Sequence, residues 1–115
     1  MKNRISVLET LIGLTEPIEA IRTELSVIPW DSEEELIELK ASDLVNVLQR
    51  YIDGDVTKET LIEWANVIEG RDDIGLEKSS FDTLKEALTV LANPDINGPI
   101  DKTTAALLVK LLQGN

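Results

Sequence analysis

The sequence predicts an all-α protein, a compact single-domain bundle of about six short helices. Three observations lead there. Apolar residues recur three and four positions apart in most segments, which is helical spacing. Those segments are separated by cap and turn residues: Thr57 and Gly70, Asn93-Pro94, Asp101 and Gly114. Strand signals are weak, and the one short extended candidate, Leu36–Leu39, has no plausible hairpin partner.

The elements follow in order. Ile5, Leu8 and Ile12, with Val7, Leu11 and Leu14, give a wide apolar face for a buried helix that ends near Gly13. Thr15 is placed to cap the next helix, with Glu16 and Pro17 in its first turn. Ile18, Ile21, Leu25 and Ile28 then face inward until Pro29, and Trp30 packs over the junction. Asp31-Ser32-Glu33-Glu34-Glu35 reads as a helix start, because Ser32 and Glu35 have capping-box spacing. Leu36, Ile37 and Leu39 supply its apolar content. A bend near Lys40–Ser42 precedes a second helix carrying Leu44, Val47, Leu48 and Tyr51, and Asp53-Gly54-Asp55 makes the turn after it.

The best-defined segment is Lys58–Glu69. Thr57 caps it, Leu61, Trp64, Ala65 and Ile68 form its inner stripe, and Gly70 stops it in a left-handed conformation. Arg71-Asp72-Asp73-Ile74-Gly75 follows as a charged turn. Arg71 is expected to pair with Asp72 or Asp73 or to cap the helix end, with Glu77 completing the network. Lys78-Ser79-Ser80 offers the next cap, before a stripe of Phe81, Leu84, Leu88 and Leu91. Asp101 caps a last helix in which Ala105, Leu108, Val109 and Leu112 face the core.

Composition excludes several chemistries. The 115 residues contain no cysteine and no histidine. Disulfides, thiolate metal sites and Ser-His-Asp or Cys-His catalysis are therefore ruled out. No apolar run approaches the roughly 20 residues that span a bilayer. Glu9 interrupts the apolar N-terminal stretch and no small-residue cleavage site follows, so a signal peptide is not expected. The expectation is a cytoplasmic protein without membrane contact.

Two loops invite a calcium reading. In Asp53-Gly54-Asp55 neither register places glycine and ligands correctly. Asn93–Thr104 has oxygen ligands at its first, third and fifth positions and glycine at the sixth, but threonine replaces the bidentate glutamate at the twelfth. No metal site and no cofactor are expected.

The net charge of −11 is concentrated. Residues 31–77 hold fourteen acids against Lys40, Arg50, Lys58 and Arg71, a net charge of −10. Such a field repels phosphate backbones and attracts a basic partner. The residues expected to meet that partner are Asp31, Glu33, Glu34, Glu35 and Glu38, with Asp53, Asp55, Asp72 and Asp73 as a second patch. Carboxylate pairs such as Glu59 with Glu63 offer an alternative, an acid/base or metal-dependent enzyme using Glu59, Glu63, Asp72 and Asp73. That chemistry requires burial or crowding to split the pKa values. A third reading is a homo-oligomer joined by surplus leucines.

Three runs carry a resemblance: Trp30–Leu36, Trp64–Glu77, and Leu91-Ala92-Asn93-Pro94 followed by Gly98-Pro99. They resemble stretches in a family of small, uncharacterised, acidic bacterial proteins. The similarity covers most of the chain from Ile18 on. It implies no catalytic residue. In size and acidity the chain is also similar in type to immunity partners of bacterial toxins. By that analogy its target would be a nuclease-type or otherwise basic toxin.

Overall fold

In the computed structural model, which describes residues 3–29 and 33–114 apart from the side chains of Ile96 and Asn97, the elements run as follows. They are α1 (Arg4–Gly13), α2 (Ile18–Leu25), β1 (Ile37–Leu39), α3 (Ala41–Ile52), α4 (Lys58–Glu69), β2 (Ile74–Leu76), a 3-10 turn (Lys78–Ser80), α5 (Phe81–Ala92), the single-turn α6 (Pro94–Asn97) and α7 (Lys102–Leu112). The mostly helical bundle is as expected. Helix α7 packs chiefly along α3, and α5 along α4.

Trp64 is the centre of the core. It is fully buried on α4, and its Nε1 donates to the Leu11 carbonyl at 2.7 Å. That bond helps to finish α1, whose last carbonyls have no partner inside the helix. Arg50 of α3 donates to two more of them, Gly13 O at 3.1 Å and Leu14 O at 2.9 Å. The chain then turns through Leu14 at φ 47°, while Leu14 N donates to Leu11 O and Thr15 N to Thr10 O. The left-handed residue is thus Leu14 and not Gly13. Its side chain is buried, and that burial offsets the strain of roughly 1–2 kcal/mol.

Three helix boundaries correct the sequence reading. Thr15 does not cap α2, which begins only after Pro17 and has no side-chain cap. Proline disfavours helical geometry in the residue before it, so Glu16 cannot sit in a first turn. Helix α2 also ends at Leu25, short of Pro29. At the end of α4, Gly70 has φ −81° and is not left-handed. A Cβ there would make only ordinary contact, at 3.5 Å from the Asn66 carbonyl.

The largest correction concerns residues 33–39. They form no helix; Ile37–Leu39 is a strand, and its partner is β2, paired in parallel with Ile37 beside Ile74 and Leu39 beside Leu76. Parallel strands need a long crossover, here the whole segment carrying α3 and α4. Leu36 N and Ile37 N both donate to Asp73 O, at 2.8 and 3.2 Å, and Glu77 N donates to Leu39 O at 2.9 Å. The capping box assigned to Ser32 and the packing of Trp30 lie outside the described residues. Helix α3 instead starts at Ala41. Its first free N–H groups are met by two carboxylates: Lys40 N donates to Asp43 at 2.8 Å, and Ala41 N donates to Glu77 at 3.0 Å. Glu77 therefore serves α3 and not the Arg71 network.

At the other end of α3 lies the chain's single tyrosine. Tyr51 is buried, with its hydroxyl 3.5 Å from the Ile100 carbonyl. Burial first, and then the negative charges of Asp101 and Glu59, raise its pKa above the ordinary 10.0. The stability linked to this group is complete below the unfolded pKa and is lost as pH rises through the higher folded one. An ultraviolet titration of the native protein is expected to show phenolate forming above pH 10, returning to about 10 in denaturant. A native midpoint at or below that value would place the ring in water.

Candidate functional site

The acidic residues singled out in the sequence separate into three environments. Glu33, Glu34, Glu35 and Glu38 are exposed, the first three just before β1 and Glu38 in its middle. Asp72 is exposed too, and it joins them. It immediately precedes Asp73, whose carbonyl receives Leu36 N and Ile37 N. Asp53 and Asp55, also exposed, lie beyond the far end of α3, whose twelve residues measure about 18 Å. The second patch is therefore not a patch: Asp72 belongs with the glutamates, and Asp53 and Asp55 stand apart. Asp31 lies outside the described residues.

Asp73 leaves the surface altogether. Its side chain is fully buried between two arginines. Arg71 Nε donates to Oδ1 at 3.0 Å and Arg71 Nη2 to Oδ2 at 2.9 Å, while Arg4 Nε donates to Oδ2 at 2.9 Å. Both arginines also donate to the Pro29 carbonyl, Arg4 at 3.0 Å and Arg71 at 2.9 Å. Burial alone would raise the Asp73 pKa. The hydrogen bonds and charges of Arg71 and Arg4 outweigh it and hold the carboxyl below its usual value. This clamp ties α1, the chain before β1 and the α4–β2 turn together.

The carboxylates of the enzyme alternative are not brought together. Glu59 and Glu63 lie in the first half of α4, whereas Asp72 and Asp73 lie past its end. Glu63 is ion-paired with Arg22 of α2. Among the described residues no three acidic groups are placed to hold a metal ion. In the Asn93–Thr104 loop, Pro94–Asn97 is a helical turn. Asp101 there accepts from Thr104 N at 2.8 Å as the cap of α7, and this bond lowers its pKa.

Beside the acidic end is a groove that periodicity did not reveal. Its floor is apolar, formed by Ile68 of α4, Ile74 and Leu76 of β2, and Leu88 of α5. Glu35 and Glu69 stand at its rim. Glu35 lies over Gly75, where an added Cβ would overlap its carboxylate. Glu69 accepts from the Thr89 hydroxyl at 3.0 Å. Phe81, read from its spacing as a core residue, is 45% exposed at the groove, with Lys85 Nζ 5.9 Å from its ring centre. It occupies the first position of α5, where the stripe has not yet turned fully inward. The available signal was its place at the helix start; the side-chain cap expected from Lys78-Ser79-Ser80 is not made, those residues forming the 3-10 turn.

No protein-family model, curated protein or solved structure matches this chain. Among the described residues no helix is long and apolar enough to cross a membrane.

Proposed function

We propose that this chain is a non-enzymatic protein-interaction domain that binds a basic protein partner through the acidic end of the β1–β2 pair. Neutralisation of a basic toxin, as by a cytoplasmic immunity or antitoxin-type protein, is the specific version of this reading. The observation that carries it is the gathering of Glu33, Glu34, Glu35, Glu38 and Asp72, all exposed, around two short strands. A surface of one sign accelerates encounter with a partner of the other and repels nucleic acid. The buried Arg71–Asp73 clamp beneath these acids supports a surface held in one arrangement.

The test is association kinetics with the basic partner recovered from the native host. The rate is expected to fall steeply between about 0.1 M and 1 M salt, over which the Debye length shrinks from about 10 to 3 Å. Reversing Glu33, Glu34 and Glu35 to lysine is expected to slow association while leaving stability nearly unchanged, because all three side chains are exposed. A rate indifferent to both changes would remove the acidic end as the site.

A second reading, self-association, rests on α7. Leu107 and Leu111 lie one turn apart and are 58% and 56% exposed. A sedimentation profile independent of concentration would eliminate it.

A further inference from the structure

We infer that the groove between β2 and α5 is an anchor pocket for one apolar side chain of a basic peptide segment. This inference rests on the interaction reading above and names the part of the partner that the site would take. Size decides first between ligand classes. The groove offers about 240 Å³, below the roughly 300–1,000 Å³ of small-molecule sites. Its floor of Ile68, Ile74, Leu76 and Leu88 suits an aliphatic or aromatic side chain. Phe81, exposed at its edge, is a ready contact for such a group. Buried apolar anchors of this kind carry most of the energy of many protein interfaces, and the surrounding contacts exclude water from them.

Charge decides the sequence around the anchor. Glu35 and Glu69 stand on the rim, with Glu33, Glu34, Glu38 and Asp72 on the neighbouring surface. Of the cations lining the groove, Arg71 is buried and bonded to Asp73 and Pro29 O. Lys85 sits over the Phe81 ring. A segment with lysine or arginine beside its apolar residue therefore meets opposite charge on the rim. An acidic segment finds one exposed cation, Lys85, against the carboxylates of Glu35 and Glu69.

The experiment is selection of a random twelve-residue peptide display library on the full-length protein, followed by affinity measurement of the enriched synthetic peptides. Enriched peptides are expected to carry one large apolar residue flanked by lysine or arginine. They are expected to weaken at least tenfold on Phe81→Ala and again on Glu69→Lys, and to weaken when their own apolar residue becomes alanine. Circular dichroism and a denaturation curve for each variant establish that it is folded; Glu69→Lys, at an exposed site, serves if Phe81→Ala is not. Basic peptides that ignore Phe81→Ala but are lost on reversal of Glu33 and Glu34 would overturn the pocket and leave the acidic surface standing. Enrichment of neutral or acidic peptides would overturn both. No enrichment would also overturn the pocket, because an anchor for a linear segment selects one.

Discussion

Replacing Trp64 with alanine is expected to cost about 3–5 kcal/mol of unfolding free energy, near the upper end for a buried aromatic residue. Two losses combine. The ring is wholly buried among residues of several helices, so its removal leaves a cavity that they fill only in part. The Leu11 carbonyl also loses its 2.7 Å donor at the end of α1. Trp64→Phe separates the two, since it keeps most of the apolar volume and removes only the N–H. Its expected cost is about 1 kcal/mol, that of one lost hydrogen bond, because Leu14 N still donates to the Leu11 carbonyl. Urea denaturation measures both. A loss under about 1 kcal/mol for the alanine variant would move the packing centre elsewhere.

A comparable effect is expected at Asp73. Asp73→Ala leaves the buried Arg71 without the carboxylate it is bonded to, and breaking a buried pair in this way costs about 3–5 kcal/mol. The pH dependence has a definite sign. Because the folded pKa of Asp73 is lowered, its contribution is complete above the unfolded value of 3.8 and is lost as pH falls through the folded one. Acid denaturation of the parent should therefore steepen below that point, relative to Asp73→Asn. Coincident acid profiles for the two proteins would show that the clamp adds nothing to stability.

Much of the bundle was legible because its signals are local. Thr57 caps α4 and Asp101 caps α7, each from three residues away, and the stripe Leu61, Trp64, Ala65 and Ile68 is buried as its spacing requires. What escaped depends on residues far apart in the chain. Ile37 and Leu39 fit a short helix and a short strand equally well, and only β2 settles the choice. The pairing of Arg71 with Asp73 was legible from their closeness, but Asp73 was also counted among the partner-binding surface acids; Arg4 and Pro29, which make it a core residue, are distant in sequence. The groove was hidden for the same reason, since its floor is drawn from three elements. Phe81 satisfied helical periodicity yet faces outward, because periodicity assigns a face and not the point where a neighbour stops covering it.

The parallel pairing of β1 with β2 also sets an order of assembly. Helices α3 and α4 form locally, on the sub-microsecond to microsecond timescale of helix formation, and pack chiefly on α7 and α5. Bringing the strands together closes the loop that holds both helices, and that loop-closure entropy must be overcome before their few hydrogen bonds and the Asp73 clamp give anything back. The acidic end is thus expected to be completed late, and the buried clamp then holds it. Hydrogen exchange is expected to show the amides of α4 around Trp64 opening only with global unfolding, and those of Leu36 and Ile37, bonded to Asp73 O, losing protection in Asp73→Ala.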